Sequence, residues 1–169
     1  SSNTVSDYIE HCLDAFLISE AKRYDVKGKH YFEYPNKYYF VDIGLRNARL
    51  NFRQFDPGHI MENIVYNELI SRGYSVDIGV VVDRRNNAKC QKEIDFVVNL
   101  GDKKMYIQSA WQMNTDKKIN AELDSLKLTK DFFAKIIIQN DIPTTFTDED
   151  GIIHCNLIEF LLNETLLPM

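Results

Sequence analysis

Along Thr4–Leu17 apolar residues recur at helical spacing: Val5, Tyr8, Ile9, Cys12, Leu13 and Phe16 form one stripe. Asn3 or Thr4 can cap the start, and Asp7 suits the N-terminal end of the helix dipole. The opposite face carries Asp7, Glu10, His11 and Asp14. Three short extended segments follow, Ile18–Asp25, His30–Tyr34 and Lys37–Val41, separated by the turn signals Lys27-Gly28-Lys29 and Pro35-Asn36. Ile43 to Phe55 reads as a connection or short helix. Asp56-Pro57 is a strong helix start, and the helix through His59 to Arg72 stops at Gly73. Strands are predicted at Ser75–Val82, Lys92–Val98 and Lys104–Ala110. A helix over Asp116–Ala134 follows, with Leu123, Leu126 and Phe133 facing the core. Lys135-Ile136-Ile137-Ile138 reads as a short strand covered on both faces. Ile152–His154 reads as a last edge strand, and Asn156 caps a final helix, Leu157–Leu162.

From Asp56 the predicted order is α-β-β-β-α-β-β-α, an α/β sandwich in which helices flank a sheet. The preceding helix and antiparallel hairpin match the rear half of a winged helix, whose front half would lie upstream. One amphipathic helix and a hairpin cannot bury their own apolar faces, so the chain reads as part of something longer. The boundaries that follow are 1–50 for the partial winged helix and 51–169 for the α/β domain.

Composition narrows the function. Hydrophobic residues are 44% and charged residues 27% of the 169, the balance of a folded, soluble chain. No apolar run approaches the roughly 20 residues of a membrane span, and the start has neither the basic stretch nor the apolar core of a signal peptide. A cytoplasmic location without membrane attachment is expected. The net charge of −5 argues against a dedicated nucleic-acid binder, though it leaves room for a local basic patch. Cys12, Cys90 and Cys155 are scattered and odd in number, giving neither a disulfide framework nor a zinc knuckle. The four histidines are equally dispersed.

Four stretches carry a resemblance. They are Lys37-Tyr38-Tyr39-Phe40-Val41-Asp42-Ile43-Gly44-Leu45-Arg46, Glu62-Asn63-Ile64-Val65-Tyr66-Asn67-Glu68-Leu69, Glu93-Ile94-Asp95-Phe96-Val97 and Tyr106-Ile107-Gln108. Together with the element order they resemble the PD-(D/E)XK, or restriction-endonuclease-like, fold. More closely, they resemble the C-terminal region of a prokaryotic group of AAA-type ATPases whose last domain has no assigned function. The resemblance implies an ATP-binding domain upstream in the same polypeptide. No G-x-x-x-x-G-K-[ST] occurs here, so ATP would be bound only there.

In an active member of that fold, carboxylates hold Mg²⁺ and a lysine helps to activate water. Carried over by position, Glu62 is the helix acid and Asp95 the strand acid. Gln108 replaces the second carboxylate, and Ala110 stands where the lysine belongs. Gln108 offers a neutral oxygen in place of a charge, and Ala110 offers nothing; Lys103 or Lys104 could reach in from the turn. Mg²⁺ on Glu62 and Asp95 is what the resemblance implies for an active site. The alternative is a residual polar cluster that fastens helix to sheet by hydrogen bonds.

Lys27 and Lys29, with Lys22, Arg23 and Lys37, make the hairpin basic, and Arg84 and Arg85 make the loop before Asp95 basic. Both are candidate contacts for nucleic acid or an acidic partner. The helix before the hairpin exposes Asp7, Glu10 and Asp14 and would be repelled by phosphate. Three readings result: a non-catalytic accessory domain recognising nucleic acid or a partner, a Mg²⁺-dependent nuclease with a degenerate site, and a plain protein-interaction module. The N-terminal helix could also pair with its own copy in a homo-oligomer.

Overall fold

A computed structural model describes residues 2–33, 35–83 and 90–167. In chain order its elements are α1 (Ser2–Asp14), β1 (Ile18–Ala21), β2 (Arg23–Asp25), β3 (His30–Tyr31), β4 (Lys37–Phe40), α2 (Ile43–Arg49) and α3 (Pro57–Ser71). They continue with β5 (Ser75–Asp83), β6 (Cys90–Leu100), β7 (Lys103–Ala110), α4 (Asp116–Lys127), β8 (Ala134–Gln139), β9 (Phe146–Thr147), β10 (Ile153–Asn156) and α5 (Leu157–Leu162). Eight strands form a mixed sheet in the order β3-β2-β5-β6-β7-β8-β10-β9, and β1 and β4 form a separate antiparallel ribbon. Strands β5, β6 and β7 make an antiparallel meander; β8 runs parallel to β7, and β10 runs parallel to β8.

Helices cover both faces. Met61, Val65 and Leu69 of α3 and Phe160 of α5 bury one face with Phe96 and Ile107. Leu126 of α4 buries the other with Ile94, Val97 and Ile137. Ile136, Ile137 and Ile138 are all fully buried, as a central strand covered on both sides requires. The helix ends follow the sequence. Asp56 accepts the His59 N–H at 3.2 Å, with Pro57 at the first helical position. Gly73, at φ +84°, turns the chain out of α3. Asn156 accepts the Ile158 and Glu159 N–H groups at the start of α5.

Four expectations change. Ile18–Asp25 is two strands: β1 pairs with β4, whereas β2 leaves the ribbon and pairs in parallel with β5. The break falls at Lys22, whose carbonyl accepts the Ile78 N–H at 2.8 Å. Helix α4 ends at Lys127, because the Thr129 hydroxyl bonds back to the Leu126 carbonyl at 2.9 Å and Lys130 takes φ +57°. Phe133 consequently lies in a connection and is exposed, its ring in an edge-on contact with Tyr106. Finally, β10 is an interior strand, since β9 pairs outside it. The apolar stripe of α1 is only half covered: Ile9, Cys12 and Leu13 are half-buried, whereas Val5, Tyr8 and Phe16 are exposed. Among the described residues no helix is long and apolar enough to cross a membrane.

The ribbon is fastened to α3 by Asn63. Its side chain accepts the Phe40 N–H at 2.9 Å and donates to the Phe40 carbonyl at 2.8 Å, taking the place of a neighbouring strand. Asn67 donates to the same carbonyl and to that of Val41. Asn63→Ala leaves the Phe40 N–H unmet, so a loss of about 2 kcal/mol is expected in urea unfolding. Faster proteolytic cutting within 18–41 should accompany it, and an unchanged midpoint would show that the ribbon is held by its apolar contacts alone.

Candidate functional site

Lys37 and Tyr39 stand two apart on β4 and so share one face of the strand. That face meets Glu62 of α3. One Glu62 oxygen accepts from the Lys37 ammonium at 2.8 Å and from the Tyr39 hydroxyl at 2.6 Å. Lys37 also reaches Glu93 of β6 at 2.6 Å, and Glu93 pairs with Arg23 of β2 at 2.8 Å. Arg23, Glu93, Lys37 and Glu62 therefore form an alternating ladder in which two cations balance two carboxylates. It ties β2, β4, β6 and α3 together. Glu62 and Glu93 hold the Lys37 ammonium above its ordinary range although burial works against its charge. Burial and then Glu62 push the Tyr39 phenol far upward, and its ring stacks on Tyr66 at 4.1 Å.

Asp95 sits at a break in the sheet. The β5–β6 register runs to Asp77 opposite Val97 and resumes at Gly79 opposite Ile94, so Asp95 and Phe96 face Ile78 alone. This is a β-bulge, a device that re-aims a side chain. Its effect is visible in the core, where Ile94 and Val97 pack on the α4 side while Phe96 and Val98 pack on the α3 side. Gly79 is needed here: a Cβ on it would lie 2.9 Å from the Ile94 Cβ and 2.8 Å from a Val97 methyl.

The Asp95 carboxylate accepts the Ser109 N–H at 2.8 Å, and its own N–H donates to Gln108 Oε1 at 2.6 Å. Gln108 Nε2 donates in turn to Glu122 of α4 at 2.6 Å. Burial, reinforced by the nearby Glu62 and Glu122 carboxylates, pushes Asp95 up to about 8 despite the Ser109 N–H and Lys37. Burial also raises Glu122.

The structure thus brings Glu62, Asp95 and Gln108 into one neighbourhood, joined by Lys37, Tyr39, Glu93 and Glu122, which the sequence reading did not assign to it. Strand alternation could have paired Lys37 with Tyr39, but no local signal aims them at Glu62 or places Glu122 over Gln108. Lys104 does not reach in; its ammonium lies over the rings of Tyr24 at 5.3 Å and Phe133 at 5.6 Å. Ala110 is buried among apolar residues. Lys27 and Lys29 are exposed on the β2–β3 turn and touch none of these groups. Arg84 and Arg85 lie outside the described residues. Among the described residues no group of three or more His, Cys, Asp or Glu side chains is arranged to hold a metal ion.

A family model described as a domain of unknown function (DUF4143) matches residues 57–158, more than half of the chain. The chain belongs to the DUF4143 family. The matched segment opens at α3 and contains Glu62, Asp95, Gln108 and Glu122, whereas Arg23, Lys37 and Tyr39 come from before it. Two further proteins are similar. An uncharacterized protein of Haemophilus influenzae is 35% identical over 162 residues, covering 96% of this DUF4143 chain and 38% of its own length. An uncharacterized protein of Methanocaldococcus jannaschii is 31% identical over 146 residues, covering 83% of this chain and 31% of its own. The chain therefore spans about a third of the length of these curated relatives. No solved structure matches.

Proposed function

We propose that this DUF4143 chain is the C-terminal accessory domain of a AAA-type ATPase and recognises a partner, protein or nucleic acid, without cutting nucleic acid. The observation that carries the reading is the occupation of the polar cluster from within. Glu62 already accepts from an ammonium and a phenol, and Gln108 is spent between the Asp95 N–H and Glu122. The donor set does not fit Mg²⁺ as it stands, because one Glu62 oxygen carries two donors and the Gln108 oxygen is taken by the Asp95 N–H. Ala110 adds no base.

The succession α3-β5-β6-β7-α4-β8, a helix, an antiparallel meander, a second helix and a parallel strand, supports a PD-(D/E)XK-like ancestry. α1 followed by the β1–β4 ribbon supports the rear of a winged helix. The motor that would bind ATP belongs to the unrepresented part of a protein as long as the relatives. Exposed Lys27 and Lys29 offer a basic turn to a partner.

A second reading, a degenerate Mg²⁺-dependent nuclease, draws on the crowding of Asp95 by Glu62 and Glu122, which a cation would relieve. It requires Lys37 to withdraw. The two readings separate in a cleavage assay on single- and double-stranded DNA with Mg²⁺ or Mn²⁺. The accessory-domain reading expects both substrates intact; cutting that disappears in Asp95→Asn would overturn it.

A further inference from the structure

We propose that the cleft between α1 and the β2–β3 hairpin receives a lysine- or arginine-bearing segment of a protein partner. The proposal deepens the recognition reading above, on which it rests, by giving the partner's chemistry. The cleft encloses about 930 Å³ and is bordered by α1, β1, β3, β4 and β5. Four carboxylates line it, Glu10, Glu20, Glu33 and Asp77, against one cation, Lys22. None of the four is ion-paired among the described residues, in contrast to Glu62 of α3 and Glu93 of β6.

Their partners are neutral. Glu20 accepts from the Asn36 amide at 2.9 Å and the Tyr38 hydroxyl at 3.2 Å, and Asp77 accepts from the Tyr31 hydroxyl at 3.0 Å. These donors orient the carboxylates without placing a cation on them, and Lys22 and Lys104 act on Asp77 only from a distance. Burial holds the buried Asp77 carboxyl above its ordinary value, although the Tyr31 hydroxyl, Lys22 and Lys104 act the other way. The Asn36 side-chain carbonyl is left with no donor.

Between the acids lie half-buried Ile9, Leu13 and Phe32, an apolar surface of the kind that the methylene stem of lysine or arginine covers while its head stays polar. A guanidinium supplies a fork of N–H donors for carboxylates on both sides. An excess of negative charge around an apolar cleft also steers a partner of opposite sign during encounter. The local acidity runs against the basic β2–β3 turn nearby, so the two features select different partner surfaces.

The test is fluorescence anisotropy of a labelled peptide of alternating arginine and leucine, with a glutamate-for-arginine peptide as control. Saturable, salt-sensitive binding of the arginine peptide alone is expected. The double variant Glu10→Gln/Glu33→Gln, two exposed positions that leave the fold intact, should weaken it about tenfold. Glu149→Gln, an exposed acid outside the cleft, should leave it unchanged. Absence of saturation by about 1 mM peptide, or equal loss in Glu149→Gln, overturns the proposal. So does sedimentation showing that the cleft is filled by a second copy of this chain. DNA cleavage would instead overturn the non-catalytic reading and leave the peptide result standing, so the two failures are distinguishable.

Discussion

Lys37→Met is expected to lower the unfolding free energy by about 3 kcal/mol at neutral pH, because it strands two carboxylates that share one cation. Methionine keeps the length and apolar stem of lysine and removes the ammonium that lies 2.8 Å from Glu62 and 2.6 Å from Glu93. Both carboxylates are mostly shielded from solvent, so water replaces the lost partner poorly. Glu93 retains Arg23, and Glu62 retains only the Tyr39 hydroxyl, next to Asp95. In a domain of this size the loss corresponds to a fall in Tm of roughly 6–12 °C. The deficit should shrink in acid, where the stranded carboxylates take up protons, and Lys37→Arg should recover part of it. A loss below about 0.5 kcal/mol would mean that the ladder behaves as a solvated surface pair.

Asp95→Asn is expected to act in the opposite direction and to depend on pH. Asp95 is held up to about 8 in the folded chain, against an ordinary value of 3.8. The folded state therefore keeps this proton over a range in which the unfolded chain has lost it. The resulting stability is fully present below about pH 4 and is lost as the pH rises toward 8. Asparagine resembles the protonated acid and can still accept the Ser109 N–H. The variant should match the parent near pH 4 and exceed it at pH 8 by about 2–4 kcal/mol. Glu122 and Asp77, also raised by burial, supply the slope that remains. Urea unfolding across this range is the check. Parallel curves for parent and variant would show that Asp95 titrates as an ordinary surface carboxylate.

The parts of the fold legible in the sequence are those set by neighbours in the chain. Asp56-Pro57, Gly73 and Asn156 mark helix ends through bonds that span three residues or fewer, and the Ile136–Ile138 run announces a strand covered on both faces. The departures come from distant partners. Nothing within Ile18–Asp25 shows that its second half will leave the ribbon for β5, whose pairing residues begin at Ile78. Helix α4 continues in pattern to Phe133, yet the Thr129 side chain and the left-handed Lys130 end it early. The site divides in the same way. Glu62, Asp95 and Gln108 could be named only through the resemblance carried by their stretches and the element order. Lys37, Glu93 and Glu122 gain their places only when ribbon, sheet and α4 come together, and those residues turn a set of candidate metal ligands into a closed network.

The most direct test of that closure is a calorimetric titration of the chain with Mg²⁺ and with Mn²⁺, repeated on Asp95→Ala. No specific heat of binding at millimolar metal is the expected result, with parent and variant indistinguishable, because Lys37 already occupies a Glu62 oxygen and the Asp95 N–H the Gln108 oxygen. Saturable binding by the parent that vanishes in Asp95→Ala would contradict it, and would make Glu62 and Asp95 the ligands of a working cation site.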